Sequence, residues 1–275
     1  MLLPSQAVAE LKRVVKAYAA KARVPRAHAW KRLSDDEIWR HFIVQVAVVG
    51  SAASGERLNR ALRAQQTLGL NRLAALPLAR RRALISKSLR DSGVRYASHD
   101  IERCRKTAAV VRNFEFLSAF PGGPTGYVKS LVKVQSDDAR AARLAADMSY
   151  IKLKGARDLL VELGVVSNVV ALDTRILNIL RRFGAVIPRD IRTNLNSYRQ
   201  LQSELLSRVC KPLGITGAAL DRILFQNYKD LRPPRAKPNI SVNADVRERA
   251  FGQHRRGPTK PCRSEHLAAR GRRLP

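Results

Sequence analysis

KGARDLLVELGVVSNVVALD, residues 154–173, is the stretch whose pattern decides the fold. Ala156, Leu159, Leu160 and Leu163 fall at the i, i+3, i+4, i+7 spacing of one buried helical face. Gly164 then stops the helix, because glycine reaches the positive φ of a C-terminal cap without steric cost. The apolar run Val165 to Leu172 carries the chain to Asp173, and TRILNILRRFG behind it predicts a second helix closed by Gly184. The pattern sets a lysine, Lys154, at one helix start against an aspartate, Asp173, at the next, across a tight connection. That is a geometry for an amine nucleophile beside a carboxylate.

Helical periodicity continues on both sides. Residues 5–22 predict an amphipathic helix with a basic face, and Ser34-Asp35-Asp36-Glu37 matches a capping box. The helix it opens, IWRHFIVQVAVVG, is apolar on almost every side, as a central core helix is. Trp39, Phe42 and His41 are therefore expected inside. SAASG, 51–55, reads as a small-residue turn. Further helices are expected over 56–68, 70–75, 77–91 and 99–118, with PGGPTGY, 121–127, as a loop. Ser136 caps another helix that leads through Tyr150-Ile151-Lys152-Leu153 to Lys154, and 194–210 and 216–230 supply two more. No alternating strand pattern with hairpin turns stands out. The reading is an all-α domain over residues 1–231.

The chain of 275 residues carries 52 Lys+Arg against 22 Asp+Glu, a formal charge of +30, with 45% hydrophobic residues to build a core. Such an excess calls for an anionic partner, nucleic acid by default. Beyond Leu231 the composition shifts. Residues 232–275 hold 12 Lys/Arg and 3 Asp/Glu, with prolines at 233, 234, 238, 258, 261 and 275. A disordered basic tail with affinity for polyanions is expected there. Cys104, Cys210 and Cys262 are widely spaced and odd in number, which argues against a disulfide framework, a zinc knuckle or an iron–sulfur cluster. No segment resembles a secretory signal or a membrane span, so an intracellular, cytoplasmic protein is expected.

Two helices joined by a short connector form a helical hairpin ending at Lys154, and backbone N–H groups at such a helix start bind phosphate. Lys152 would strengthen that contact. An amine at this place attacks an electrophilic carbon once desolvation and neighbouring positive charge favour its neutral form. Asp173 would stabilise a cationic sugar or accept a proton; it is also a good N-cap for the helix it precedes.

The stretch Ala142 to Phe183 resembles the helix-hairpin-helix core of the DNA glycosylase superfamily that includes endonuclease III and 8-oxoguanine DNA glycosylase. There a lysine opens the second hairpin helix and an aspartate follows; here Lys154 and Ala171-Leu172-Asp173-Thr174-Arg175-Ile176 match. The pattern Lys154…Gly164…Leu172-Asp173 is most similar to the compact archaeal-type 8-oxoguanine DNA glycosylase/AP lyases. SDDEIWRHFIVQVAVVGSAAS, RCRKTAAVVRNFEFL and ITGAALDRILFQ resemble further blocks of that family, so the likeness runs in order over about residues 33–228. Two positions depart. The hairpin reads Tyr150-Ile151-Lys152-Leu153 where the family usually has G-h-G before the lysine, and Phe225 stands where it tends to have tryptophan.

The resemblance implies a two-lobed helical bundle that flips a damaged nucleotide out of double-stranded DNA into a pocket between the lobes. Lys154 then attacks C1′, Asp173 offsets the charge developing on the sugar, and the Schiff base undergoes β-elimination. The implied activity is base-excision repair of a damaged base, an oxidised purine, with AP lyase activity, no metal or redox cofactor, and a monomeric enzyme. Implied DNA contacts are Lys152, Arg175, Lys129 and Lys106, with Ser51 in the turn that meets the lesion or its gap. The alternatives are a basic helical DNA-binding protein that keeps the fold without the chemistry, and an RNA- or ribosome-associated protein.

Overall fold

The computed structural model describes residues 1–231 apart from 66 and 192, and of these all side chains but 64 and 65. The basic segment 232–275, including Cys262, lies outside the described residues. The described part is helical, without a β-strand among its residues. No helix in it is long and apolar enough to cross a membrane.

Helix α1 spans Ser5–Tyr18 and tightens into a 3-10 turn over Ala19–Lys21. Helix α2, Asp35–Ala47, begins on the expected capping box: Ser34 accepts the Glu37 N–H, and Glu37 accepts the Ser34 N–H at 2.8 Å. It buries Ile38, Trp39, Phe42, Ile43 and Val46, as a central helix must. The His41 imidazole is half-buried beside it, and burial, reinforced by Arg40 and Arg63, lowers its pKa to about 4.

Then come α3, Ala52–Gln65, α4, Leu70–Ala74, α5, Leu78–Asp91, and α6, Arg105–Ala119. The 51–55 turn is shorter than its small residues suggest, since α3 already starts at Ala52. Gly55 sits inside α3, where a side chain would strike Val48; the glycine serves close helix–helix approach, not a bend. The helix expected from residue 99 starts at Arg105, after a turn in which Asp100 accepts the Arg103 N–H.

Helix α7, Gly123–Val132, overturns the loop expected at 121–127. Gly122 and Gly123 do take positive φ, but they turn the chain into a helix with Pro124 in its first turn. Asp35 then accepts the Thr125 N–H at 2.8 Å, a cap from another helix that local pattern cannot reveal.

Helices α8, Asp137–Asp147, and α9, Leu153–Glu162, form the hairpin; α10 spans Thr174–Arg182. Helix α11, Leu195–Leu205, runs into a π-helical turn, Leu206–Cys210, and a 3-10 turn, Lys211–Leu213. Helices α12, Gly217–Gln226, and α13, Tyr228–Leu231, complete the described chain.

Two hydrophobic cores result. The first is built from residues between Trp30 and Val169, joined by Ala218. The second takes α1 together with Val170 and the residues beyond it. The chain therefore passes from one core to the other between Val169 and Val170, inside the connector read as a plain apolar run. Lys154 belongs to a helix of the first core and Asp173 to the start of a helix of the second.

Candidate active site

Lys154 lies in the first turn of α9. The N-cap residue, Lys152, is extended (φ −84°, ψ 172°) and supplies no side-chain cap to the helix. Its side chain is exposed, and the first-turn N–H groups have no side-chain cap, an arrangement with the charge complement of an anion site. The glycine missing ahead of Lys154 leaves a conformational trace. Tyr150 adopts φ +67°, the left-handed region glycine favours, so the hairpin keeps its turn with a tyrosine in it. At Gly164, φ +65°, the helix stops as expected. Its carbonyl accepts the His28 N–H at 2.8 Å, and a side chain there would strike the Arg26 carbonyl.

Asp173 caps α10, accepting the Arg175 N–H at 2.8 Å and the Ile176 N–H at 2.9 Å, both on Oδ1. The Lys154 side chain is 44% exposed, and its ammonium is hydrogen-bonded to Asp158, one turn further along α9, not to Asp173.

The connector before Asp173 has no strand partner, so its buried amides depend on side chains. Val170 N–H donates to Gln202 Oε1 at 3.1 Å, Ala171 N–H to Asp221 Oδ1 at 2.9 Å and Leu172 N–H to the Tyr198 hydroxyl at 3.1 Å. The Tyr198 hydroxyl in turn donates to the Val170 carbonyl. Tyr198 is itself fixed by Arg157, whose guanidinium lies 3.9 Å from the ring centroid and pairs with Asp138 at 2.8 Å. Asp221 is 3% exposed. Burial first, then the charge of Asp158, push its carboxyl well above the usual range, against the pull of Arg222, the Ala171 N–H and Lys154. The Lys154–Asp158 pair and the approach to Asp173 thus meet electrostatically at Asp221. None of these supporting groups was singled out from the sequence; for Asp158 the i+4 spacing from Lys154 was a signal that could have found it, whereas Tyr198, Gln202 and Asp221 carry no local signal.

Among the expected DNA contacts, Lys129 is exposed on α7. Arg175 lies with its guanidinium 4.7 Å from the Phe225 ring centroid and 5.8 Å from that of Tyr228, so the phenylalanine at the atypical position is its platform. Ser51 is half-buried, its hydroxyl accepting the Ser54 N–H at 3.4 Å.

Lys106 is corrected. Its side chain is fully buried (0% exposed), and its ammonium donates to Ala47 O at 2.9 Å and Val49 O at 2.8 Å. It neutralises the carbonyl end of α2 instead of reaching a phosphate, and burial lowers it to about 8. Beside it stands a residue the sequence did not flag. Tyr96 is 62% exposed at φ +64°, against Gly50, with the Arg95 guanidinium 4.9 Å and the Lys106 ammonium 5.9 Å from its ring centroid. Among the described residues no group of three His, Cys, Asp or Glu is placed to share a metal ion.

No protein-family profile and no curated protein sequence matches the chain. Solved structures do. The 8-oxoguanine DNA glycosylase of Thermotoga maritima superposes with a TM-score of 0.58 at 19% identity, over 82% of this chain and 98% of that one. The Methanocaldococcus jannaschii 8-oxoguanine DNA glycosylase gives 0.60 at 14% identity, over 82% and 95%. Its glycosylase/lyase complex with a 15mer DNA containing 8-oxoguanine gives 0.57 at 14%, over 82% and 98%. The chain has the all-α helix-hairpin-helix glycosylase fold that these bacterial and archaeal proteins share.

Proposed function

We propose that the protein is a DNA glycosylase that removes an oxidised purine, 8-oxoguanine in the first instance, with AP lyase activity through a Schiff base on Lys154. The observation that carries the reading is the placement of Lys154 in the first turn of α9 and Asp173 at the N-cap of α10, on either side of the passage between the two cores. The structural neighbours are 8-oxoguanine glycosylases, one of them bound to DNA containing that base.

In this reading Lys152 and the uncapped first turn of α9 hold a backbone phosphate, and Lys129, Arg175 and Ser51 flank the DNA. The nucleotide is everted toward Lys154, which displaces the base at C1′, and Asp173 faces the positive charge developing on the sugar. The protein acts as a monomer in the cytoplasm on double-stranded DNA carrying the damaged base, without a cofactor.

Borohydride trapping on 8-oxoguanine and abasic-site duplexes tests the assignment. The expected result is a covalent adduct with the wild type that disappears in a folded Lys154→Gln variant. An adduct that persists in that variant refutes the nucleophile. A wild type that binds such duplexes without releasing base or forming an adduct supports the non-catalytic alternative, which the +30 charge also fits.

A further inference from the structure

The hydrogen-bonding partner of the Lys154 ammonium is Oδ2 of Asp158. On an ordinary surface helix such an i, i+4 pair stabilises little and does no chemistry. The surroundings of this one differ. The Asp158 side chain is less exposed than its partner, 23% against 44%, so the acid lies deeper than the amine. The charge of Asp158 is felt by two groups behind it: the buried Asp221 of α12, which has Arg222 beside it, and the Tyr198 phenol of α11, which Arg157 flanks. Asp173 has its Oδ1 committed to two N–H groups of α10. That suits it to stand as a fixed anion.

We infer that Asp158 is the base that takes the proton of Lys154 before attack, an inference that rests on Lys154 being the nucleophile. An N–H bond of the ammonium breaks and its electron pair stays on Nζ, while the proton moves to Asp158 Oδ2. The freed pair forms the Nζ–C1′ bond as the C1′–base bond breaks, its electrons leaving with the base. The departing base takes up the proton held by Asp158, through water where needed, and the carboxylate is restored. The acceptor is already hydrogen-bonded to the donor, so the proton transfer needs no diffusing base. Asp221 and Tyr198, both buried, are the titratable groups behind the pair, with Arg222 and Arg157 as the cations beside them.

The test is single-turnover base release on an 8-oxoguanine duplex from pH 6 to 9, with borohydride trapping in parallel, for the wild type, Asp158→Asn, Asp158→Glu and Lys154→Gln. Asp158→Asn should be slower by about a hundredfold at pH 7, with DNA affinity within about twofold. The deficit should shrink toward pH 9, where hydroxide does the work of the missing base, and Asp158→Glu should restore most of the rate. A rate within about twofold of wild type at pH 7, or a deficit equal at pH 7 and 9, overturns the role of Asp158 while leaving Lys154 in place. No adduct in the wild type, or one that survives Lys154→Gln, overturns both readings together.

Discussion

Asp221 and Ala171, fifty residues apart, are joined by a buried hydrogen bond of 2.9 Å from the Ala171 N–H to the Asp221 carboxylate. The bond ties α12 to the connector two residues ahead of Asp173. Asp221→Ala strands that amide in the interior and should cost about 2–3 kcal/mol in urea unfolding. Asp221→Asn keeps an acceptor oxygen of the same reach and should stay within about 1 kcal/mol of wild type. Equal losses in the two variants would mean that the hydrogen bond is not what Asp221 contributes.

Tyr198 serves the same connector from α11, accepting from Leu172 and donating to Val170. Tyr198→Phe keeps the ring under Arg157 and deletes only the hydroxyl. A loss of about 0.5–1.5 kcal/mol is expected, because the Leu172 N–H and the Val170 carbonyl each lose the hydroxyl and keep only their bond to each other at 3.0 Å. Base release should fall with little change in DNA affinity, since no phosphate contact is altered. Single-turnover and binding measurements on one preparation separate the two quantities.

His41 makes stability depend on pH. Its folded value of about 4 lies below the usual 6.5, so between these pH values the unfolded chain binds more protons than the native one. The stabilisation is complete above about pH 6.5 and is lost as pH falls toward 4. The shift corresponds to at most about 3 kcal/mol at this site. Unfolding at pH 7 and 4.5 should show His41→Gln losing less stability on acidification than wild type; parallel losses would contradict the buried neutral imidazole.

Lys152 and Lys106 should part in their response to salt. Lys152→Ala should lower the slope of log affinity against log salt by about 0.9, the share of one phosphate contact. Lys106→Met should leave that slope unchanged and destabilise the fold by about 1–3 kcal/mol, because the terminal carbonyls of α2 lose their donor. A salt slope reduced by Lys106→Met would return that lysine to the DNA surface.

The sequence by itself determined what depends on neighbours along the chain. The capping box at Ser34, the apolar stripe of α9, its stop at Gly164 and the Asp173 cap of α10 each follow from residues within a turn or two. Those local rules sufficed to place Lys154 and Asp173 at two successive helix starts. The i+4 partner of Lys154, Asp158, lay within their range but was not singled out. Tertiary structure decided what depends on burial and on distant donors. Lys106 and Lys129 look alike in sequence, yet one is sealed against α2 and the other exposed. The chain is helical from Gly123, and Asp35, ninety residues from Thr125, accepts the Thr125 N–H in that first turn. The connector is held by Gln202, Tyr198 and Asp221 because an extended segment outside any helix or sheet must take its hydrogen bonds from whatever side chains the fold brings to it.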